Sequence, residues 1–413
     1  APLIGKFKKV FLNGVASTFQ IVGEANASDF NAKLGSKDLF SEGKVPFIAN
    51  ITFPPHQKAI IRFEADLNDI SLTAPFLLDF KKKNQPGRLE FGWTDGKPIN
   101  FDLHTLKHEL SGLIIISRFN EFVKLKFNKI KLGNYYLGNG DFFKENLQNS
   151  LKIEGSLYDY TKAPKFKFKS LEKKLPITVK FSKLKIKEGL ILQNFSGTFD
   201  YGAAFQGSGV GKLNGGPTVK IETLINSEGR FFKIYSAHAG DVLLKSNIYS
   251  NGYGGEIEIQ MTQPISKNTT GKIRIENLRV IGAPFLAKLI SLTSIEGIFD
   301  VLNSNGIVFN DIVADYTLNN NYLHITDGIA INPSFGITLS GTREMNKKVI
   351  NYSGVLSPAY SVNGMVKKIP LIGNIIGGNA GEGIFGINYF ATGKISNPEI
   401  TVNPLSLIAP GQL

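Results

Sequence analysis

Strict alternation of apolar and polar residues recurs along this chain, and it limits the fold more than any other feature. Ile177, Val179 and Phe181 alternate with Thr178, Lys180 and Ser182, and then Leu184 and Ile186 with Lys183, Lys185 and Lys187. Phe166 and Phe168 alternate with Lys165, Lys167 and Lys169, and Val123, Leu125 and Phe127 with Lys124, Lys126 and Asn128. The same period marks Val219 and Ile221, Ile257, Ile259 and Met261, Ile273 and Ile275, and Phe335, Ile337 and Leu339. Successive side chains of a strand point to opposite faces, so each run makes a strand with one apolar and one polar face. Turn-forming clusters at Asn194–Gly197, Leu213–Gly216, Asn251–Gly255, Asp327–Gly328 and Asn397–Pro398 separate the runs.

The predicted fold is mostly β: a long, curved and twisted antiparallel sheet forming a trough or groove, with one or two short amphipathic helices towards the C-terminal part. With 413 residues the chain exceeds one compact core of ordinary size. Roughly 25–30 strands about 4.8 Å apart would make a continuous sheet longer than about 100 Å, which has to twist and coil. Its apolar face must be covered, either by more protein, as in a sandwich or barrel, or by a ligand. The organisation expected is a repetitive sheet over residues 1–280 and a C-terminal region over 281–413.

Two segments depart from the alternation. Phe285, Leu289, Leu292, Ile295, Phe299 and Leu302 recur every three or four positions, predicting a helix over 284–302. Pro284 suits its first turn and Asn305-Gly306 its stop. Its thin polar face, Lys288 and Glu296, favours a helix capping the sheet over one lying at a membrane interface. The second segment, Ser361–Ile376, reads as two short helical turns or a helix kinked at Pro370.

The motifs that would carry chemistry are incomplete. There is no cysteine, hence no disulfide, thiolate metal site or cysteine nucleophile, and no Gly-x-Ser-x-Gly elbow. His104 and His108 are four apart, but Glu109 follows the second histidine, whereas the helical zinc motif needs it after the first. Gly207–Lys212 resembles part of a phosphate loop, yet Gln206 replaces its first glycine and Leu213 its hydroxyl residue, which leaves a glycine-rich hairpin or bulge. Carboxylate pairs such as Asp66 and Asp69 are no more than 34 acids supply by chance. The formal charge of +13 comes with lysine and asparagine spread everywhere, a composition rather than a patch. On a strand Lys165–Lys169 would send rings and lysines to opposite faces, whereas a single-strand nucleic-acid groove needs both on one. Trp93 is the sole tryptophan, which argues against a glycan site. The chain is therefore expected to be no enzyme, with no catalytic residue, metal, cofactor or nucleic-acid partner. Ala1–Lys9 lacks the pattern of a signal peptide, and no run of about 18 apolar residues occurs.

Three stretches carry a family likeness: Gly282–Leu289 through Gly306–Phe309, Gly354–Tyr360 leading to Ile369–Gly373, and Gly381–Gly386 to Val402–Ser406, closing with Ala409-Pro410-Gly411. In order and spacing they resemble the C-terminal region of the AsmA-like superfamily, closest to its YhdP-type members. The resemblance covers residues 280–413; before that it is one of style, repeated one-sided strands. It implies a periplasmic protein of the Gram-negative envelope, tethered to the inner membrane by an N-terminal helix absent from this chain. It further implies an apolar β-trough that carries phospholipid towards the outer membrane, with no catalytic residues.

Residues and resemblance together predict binding and transport of phospholipid or another acyl lipid between inner and outer membranes, with those membranes or their proteins as partners. The expected lining is Phe166, Phe168, Ile177, Val179, Phe181, Val219, Ile221, Ile257, Ile259, Ile273, Ile275, Phe335, Ile337 and Leu339. The alternative is a structural or assembly factor for the outer membrane whose apolar face is covered by protein.

Overall fold

A computed structural model describes residues 4–6, 16–28, 41, 43–74, 77–117, 122–145, 148–164, 170–171, 173–265, 268–282, 284–292, 306–319, 321–358 and 386–403. The chain divides into two compact units, Ala1–Phe205 and Gln206–Leu413. The first contains β1 (Ile4–Lys6), β2 (Ser17–Asn26), β3 (Lys44–Phe53), β4 (Ile60–Asp66), β5 (Leu72–Ala74), β6 (Leu77–Lys81) and β7 (Gly87–Thr94). It continues with β8 (Ile99–Thr105), β9 (His108–Ile116), β10 (Phe122–Leu132), β11 (Tyr136–Glu145), β12 (Gln148–Asp159), β13 (Leu175–Lys187) and β14 (Leu190–Tyr201). From β1 to β4 and from β7 to β12 each strand pairs antiparallel with the next, and β4 pairs with β7. The pair β12–β13 is parallel, which requires the crossover between Asp159 and Leu175, and β13–β14 is antiparallel again. The short hairpin β5–β6 stands outside this sheet.

The second unit holds all but the first residue of β15 (Phe205–Leu213), then β16 (Thr218–Ile225), β17 (Gly229–Ser236), α1 (Ala239–Lys245), β18 (Gly252–Tyr253), β19 (Glu256–Pro264) and β20 (Thr269–Val280). After α2 (Pro284–Leu292) come β21 (Ile307–Leu318), β22 (Tyr322–Asn332), β23 (Phe335–Glu344), β24 (Val349–Pro358), β25 (Ile387–Lys394) and β26 (Glu399–Val402). Strands β16, β17 and β19 through β26 form an antiparallel meander, with β18 added beside β20. Mostly antiparallel strands with two short helices are the fold class that the alternation predicts.

Two of the expected turns are not turns. Asn194–Gly197 lies inside β14 and Asp327–Gly328 inside β22. Asn194 has φ 51°, a left-handed backbone that asparagine tolerates, and the alternation changes phase there while the register to β13 is kept. Phe195 and Leu192, three apart, thereby reach the same face, across from Phe181 and Leu184, whose spacing is also three. The phase change between the two alternating runs of β13 is thus matched by its partner. Asn277, φ 55°, does the same between Ile275 and Leu278, which sit across from Ile312 and Phe309. An asparagine in an alternating run can mark a change of phase within a strand as well as its end.

The polar faces carry ion-pair ladders. Arg88 binds Glu64 and Glu90 at 2.9 and 2.8 Å, Lys233 binds Glu258 at 3.0 Å, and Arg274 meets both oxygens of Asp311 at 3.1–3.2 Å. Each pair is half-exposed and adds little stability, but together they keep that face in water. The predicted helix over 284–302 is present from Pro284 to Leu292; Ile295, Phe299 and Leu302 lie outside the described residues, as does Ser361–Ile376.

Candidate functional site

Residues paired directly across a ladder project from the same face, so the register identifies what each apolar face presents. In the first unit one cross-strand row runs Ile21, Ala49, Phe63, Phe91, Phe101, Gly112, Phe127, Gly140, Ile153, Val179, Gly197. In the second unit the corresponding row is Ile221, Ile234, Ile259, Ile273, Ala314, Gly328, Leu339. Beside it stands Ile257, Ile275, Ile312, Ala330, Ile337, Leu356, Ile387.

These rows are not uniformly buried. Phe63, Phe91, Phe101, Phe127 and Ile153 stay part-exposed, as do Ile221, Ile259, Ile273, Ala314 and Leu339. A sheet face sealed by a second layer would bury them. Towards one end of the strands, protein does close the face. In the first unit that end holds Val45, Ala65, Leu89, Ile130 and Leu132, with Leu67, Ile70, Leu72 and Phe80 from the β5–β6 region. There Lys81 is 2 % exposed, and its Nζ donates to the carbonyls of Ile70 at 2.7 Å, Lys82 at 3.1 Å and Asn68 at 3.3 Å. Burial holds its pKa below the usual lysine value, against the pull of Asp66 and Asp69. In the second unit α1 buries Val242 and Leu243 beside β18 and β20, and α2 buries Leu286 and Leu289. Phe285 of α2 meets the ring of Tyr389 edge-on at 5.8 Å, and Lys288 donates to the carbonyl of Pro398 at 3.4 Å. Helix α2 lies beside β26.

At two places in the second unit a tyrosine lies across a glycine of the adjacent strand. Tyr316 of β21 is paired with Gly271 of β20 and donates its hydroxyl to the Gln260 carbonyl of β19 at 3.2 Å. Tyr389 of β25 is paired with Gly354 of β24 and donates to the Thr338 carbonyl of β23 at 2.6 Å. A Cβ on Gly271 or Gly354 would run into the same carbonyl and the ring above it, so only glycine allows this close approach. Burial raises the pKa of both tyrosines, which keeps them as donors. In the first unit Tyr136 donates to the Glu154 carbonyl at 3.0 Å beside Gly138 and Gly155. Its neighbours Tyr135 and Tyr158 are pushed up to about 12 by burial, and the Tyr135 hydroxyl is buried without a partner.

The predicted lining residues divide by location. Ile177, Val179 and Phe181 are buried on β13, with Phe181 stacked between Tyr158 and Phe195 at 5.4 and 6.4 Å. Val219 is buried, Ile221 part-exposed. Ile257 and Ile259 stand directly across from Ile275 and Ile273, and Ile337 and Leu339 continue the same two rows; Phe335 is buried at the closed end. Leu289 is buried in α2, Phe285 part-exposed against Tyr389, and Leu292 ends the helix. Phe166 and Phe168 lie outside the described residues. The prediction missed the aromatic floor of the first unit, Phe63, Phe91, Phe101 and Trp93. Its signal was present: Leu89, Phe91 and Trp93 alternate with Arg88, Glu90 and Gly92, and Phe101 and Leu103 with Asn100, Asp102 and His104.

The residues weighed for other chemistry are otherwise engaged. His104 is half-exposed on the polar face and pairs with Asp102 at 2.7 Å. His108 is buried on the apolar face, stacked on Phe80 at 4.6 Å, its Nδ1 accepting from the Gly133 N–H at 3.1 Å. Among the described residues no three metal-ligating side chains cluster. Gly207–Lys212 is strand, the interior of β15, and the tight turn follows it at Asn214-Gly215, both with positive φ. On the polar side of β10–β14 a concavity of about 670 Å³ is lined by Asn139, Glu154, Lys180 and Ser196 among others, with Glu154 ion-paired to Lys152 and Lys180. No family model matches the chain, and neither a curated protein nor a solved structure does.

Proposed function

We propose that this protein binds phospholipid or another acyl lipid on its apolar sheet face and carries it between the inner and outer membranes of a Gram-negative envelope. The observation that carries the reading is the row of large apolar side chains left part-exposed in register across each meander, with ion-paired residues on the opposite face. Water contact with an acyl chain of 16 carbons costs about 12 kcal/mol, at roughly 0.8 per methylene. A lipid crossing an aqueous gap therefore needs an unbroken apolar bed, and a patch of this size on a protein marks a binding surface. The likeness of residues 280–413 to the AsmA-like ending supports a periplasmic setting, with the two membranes or their proteins as partners. No helix of the described residues is long and apolar enough to cross a membrane.

The test is organic extraction of protein prepared without detergent, followed by mass spectrometry. About one acyl lipid or more per chain is expected. Ile259→Asp, on a part-exposed row position, should leave the fold intact and abolish lipid retention and transfer between vesicles, because a carboxylate desolvated by an acyl chain is costly. Folded Ile259→Asp protein that carries lipid normally would sink the proposal. A lipid-free, fully folded protein would favour the assembly-factor reading, in which the face buried beneath α1, α2 and the β5–β6 region is extended by a protein partner.

A further inference from the structure

We propose that Arg343 anchors the phosphate of the bound lipid, an inference that rests on the lipid reading and adds the class of headgroup. Arg343 lies in β23 directly across from Leu323 of β22 and Ile350 of β24. Ile350 is 5 % exposed, and Phe335, Ile337 and Leu339 precede Arg343 at every second position. The guanidinium therefore rises from the apolar face, unlike Arg88 and Arg274, which sit among carboxylates on the polar one.

A cation on such a face is costly unless an anion and hydrogen-bond acceptors meet it. Among the described residues no carboxylate pairs with Arg343, and its Nε is buried without a hydrogen-bond partner. The adjacent Glu344 is committed to Lys347 at 3.1 Å and to the Asn321 amide at 3.3 Å. Tyr352 stands on the same face, across from Gly341, and burial keeps its phenol protonated against the opposing pull of the Arg343 charge. A guanidinium on an apolar face, with its Nε buried and unpartnered and no carboxylate beside it, calls for an oxyanion at its outer N–H groups, and phosphate accepts two parallel guanidinium hydrogen bonds. The position also suits an amphiphile. Arg343 stands one residue from the end of its strand, at the rim, and the apolar positions run from it back to Phe335, about 26 Å at roughly 3.3 Å per residue.

The experiment uses the full chain and two probes with the same fluorescent acyl chains, phosphatidic acid and diacylglycerol. Wild type should bind phosphatidic acid tighter by about tenfold or more, the usual strength of a charged hydrogen-bonded pair. Arg343→Gln should lose that preference and keep its affinity for diacylglycerol, while Arg343→Lys should recover part of it as a point charge without the fork. Equal binding of the two probes by wild type, or an unchanged preference in Arg343→Gln, overturns the anchor and leaves the apolar bed standing. Failure of wild type to bind either probe overturns both readings. Displacement of phosphatidic acid by millimolar inorganic phosphate means a site for the free anion and overturns the headgroup assignment. Arg343→Gln should unfold at or above the wild-type temperature, since it breaks no ion pair. A lower temperature with both probes lost, and no rescue in Arg343→Lys, marks a structural residue and overturns the proposal.

Discussion

The two units build the same one-sided sheet from different side chains. The first floors its apolar face with rings: Phe47 stacks on Phe63 at 5.1 Å, Phe63 meets Phe91 at 6.1 Å, and Phe101 meets Phe127 edge-on at 5.8 Å. The second uses β-branched residues, Ile221, Ile234, Ile259 and Ile273 in one row. Rings need room, and the aromatic row is interrupted by Gly112, Gly140 and Gly197, so that Phe101 and Phe127 flank a residue with no side chain. The isoleucine row gives way to Ala314 and Gly328 only where the tyrosines begin to lie across the sheet. The units also close one end of the face differently, by a hairpin with Lys81 and His108 in the first and by helices in the second. What is common is a rule at the glycines: Gly112 stands between Phe101 and Phe127, and Gly354 across from Tyr389, so that each gives room to a ring.

The largest expected effect comes from breaking that rule once in each unit. Valine at Gly112 would collide with the Lys126 carbonyl, and valine at Gly354 with the Thr338 carbonyl. Overpacking against backbone costs about 2–4 kcal/mol. Hydrogen exchange read by peptide should show Gly112→Val loosening β8–β10 and Gly354→Val loosening β23–β25. Loss of protection in both units from either variant would show that they do not hold separate cores. A smaller effect sharpens the comparison of tyrosines. Tyr389→Phe strands the Thr338 carbonyl and should cost about 1–2 kcal/mol. Tyr136→Phe should cost less in the first unit, because its bond to Glu154 is longer, 3.0 against 2.6 Å. Equal denaturation midpoints for Tyr389→Phe and wild type would show that the hydroxyl bond to the Thr338 carbonyl adds nothing to the stability of β23–β25.

Much of this was legible in the sequence, for a reason that also sets the limit. Alternation reports which residues share a face, so Ile257, Ile259, Ile273 and Ile275 could be grouped before any contact was known, and they do stand across from one another. Alternation is silent on what covers a face. Phe181 and Ile259 have the same sequence signature, yet Phe181 is sandwiched between rings and Ile259 is part-exposed. Only the second gives a clean test of lipid binding, since a charge at Phe181 would break the core as well. Asparagines mark a change of phase without saying whether the chain turns back, so Asn194 reads as a turn and lies inside β14 with a left-handed backbone. Arg343 was invisible for the opposite reason: a charged residue in an alternating run looks like the polar face until the register places it across from Leu323 and Ile350.

The smallest expected effect is a pH slope confined to the first unit. Burial, then the nearby Lys107, lowers the pKa of His108 from its ordinary value. The neutral imidazole accepts from the Gly133 N–H and stacks on Phe80, and protonation removes the acceptor. The folded state therefore binds its proton less readily than the unfolded chain does. This contribution to stability is fully present above the unfolded pKa, near 6.5, and declines as the pH falls from there towards the lowered folded value. The second unit has no counterpart among its described residues, for His238 and His324 are exposed. Glu109, held to about 2 by hydrogen bonds from Lys129 and Lys131, acts in a separate window below its ordinary value of 4.5. Hydrogen exchange between pH 7 and 5.5 should accordingly loosen β9 and the Phe80 hairpin while leaving β23–β25 unchanged, and His108→Gln should flatten that response. A slope that survives in His108→Gln, or that has the same size in both units, would assign the pH dependence to other groups and leave His108 as a packing residue.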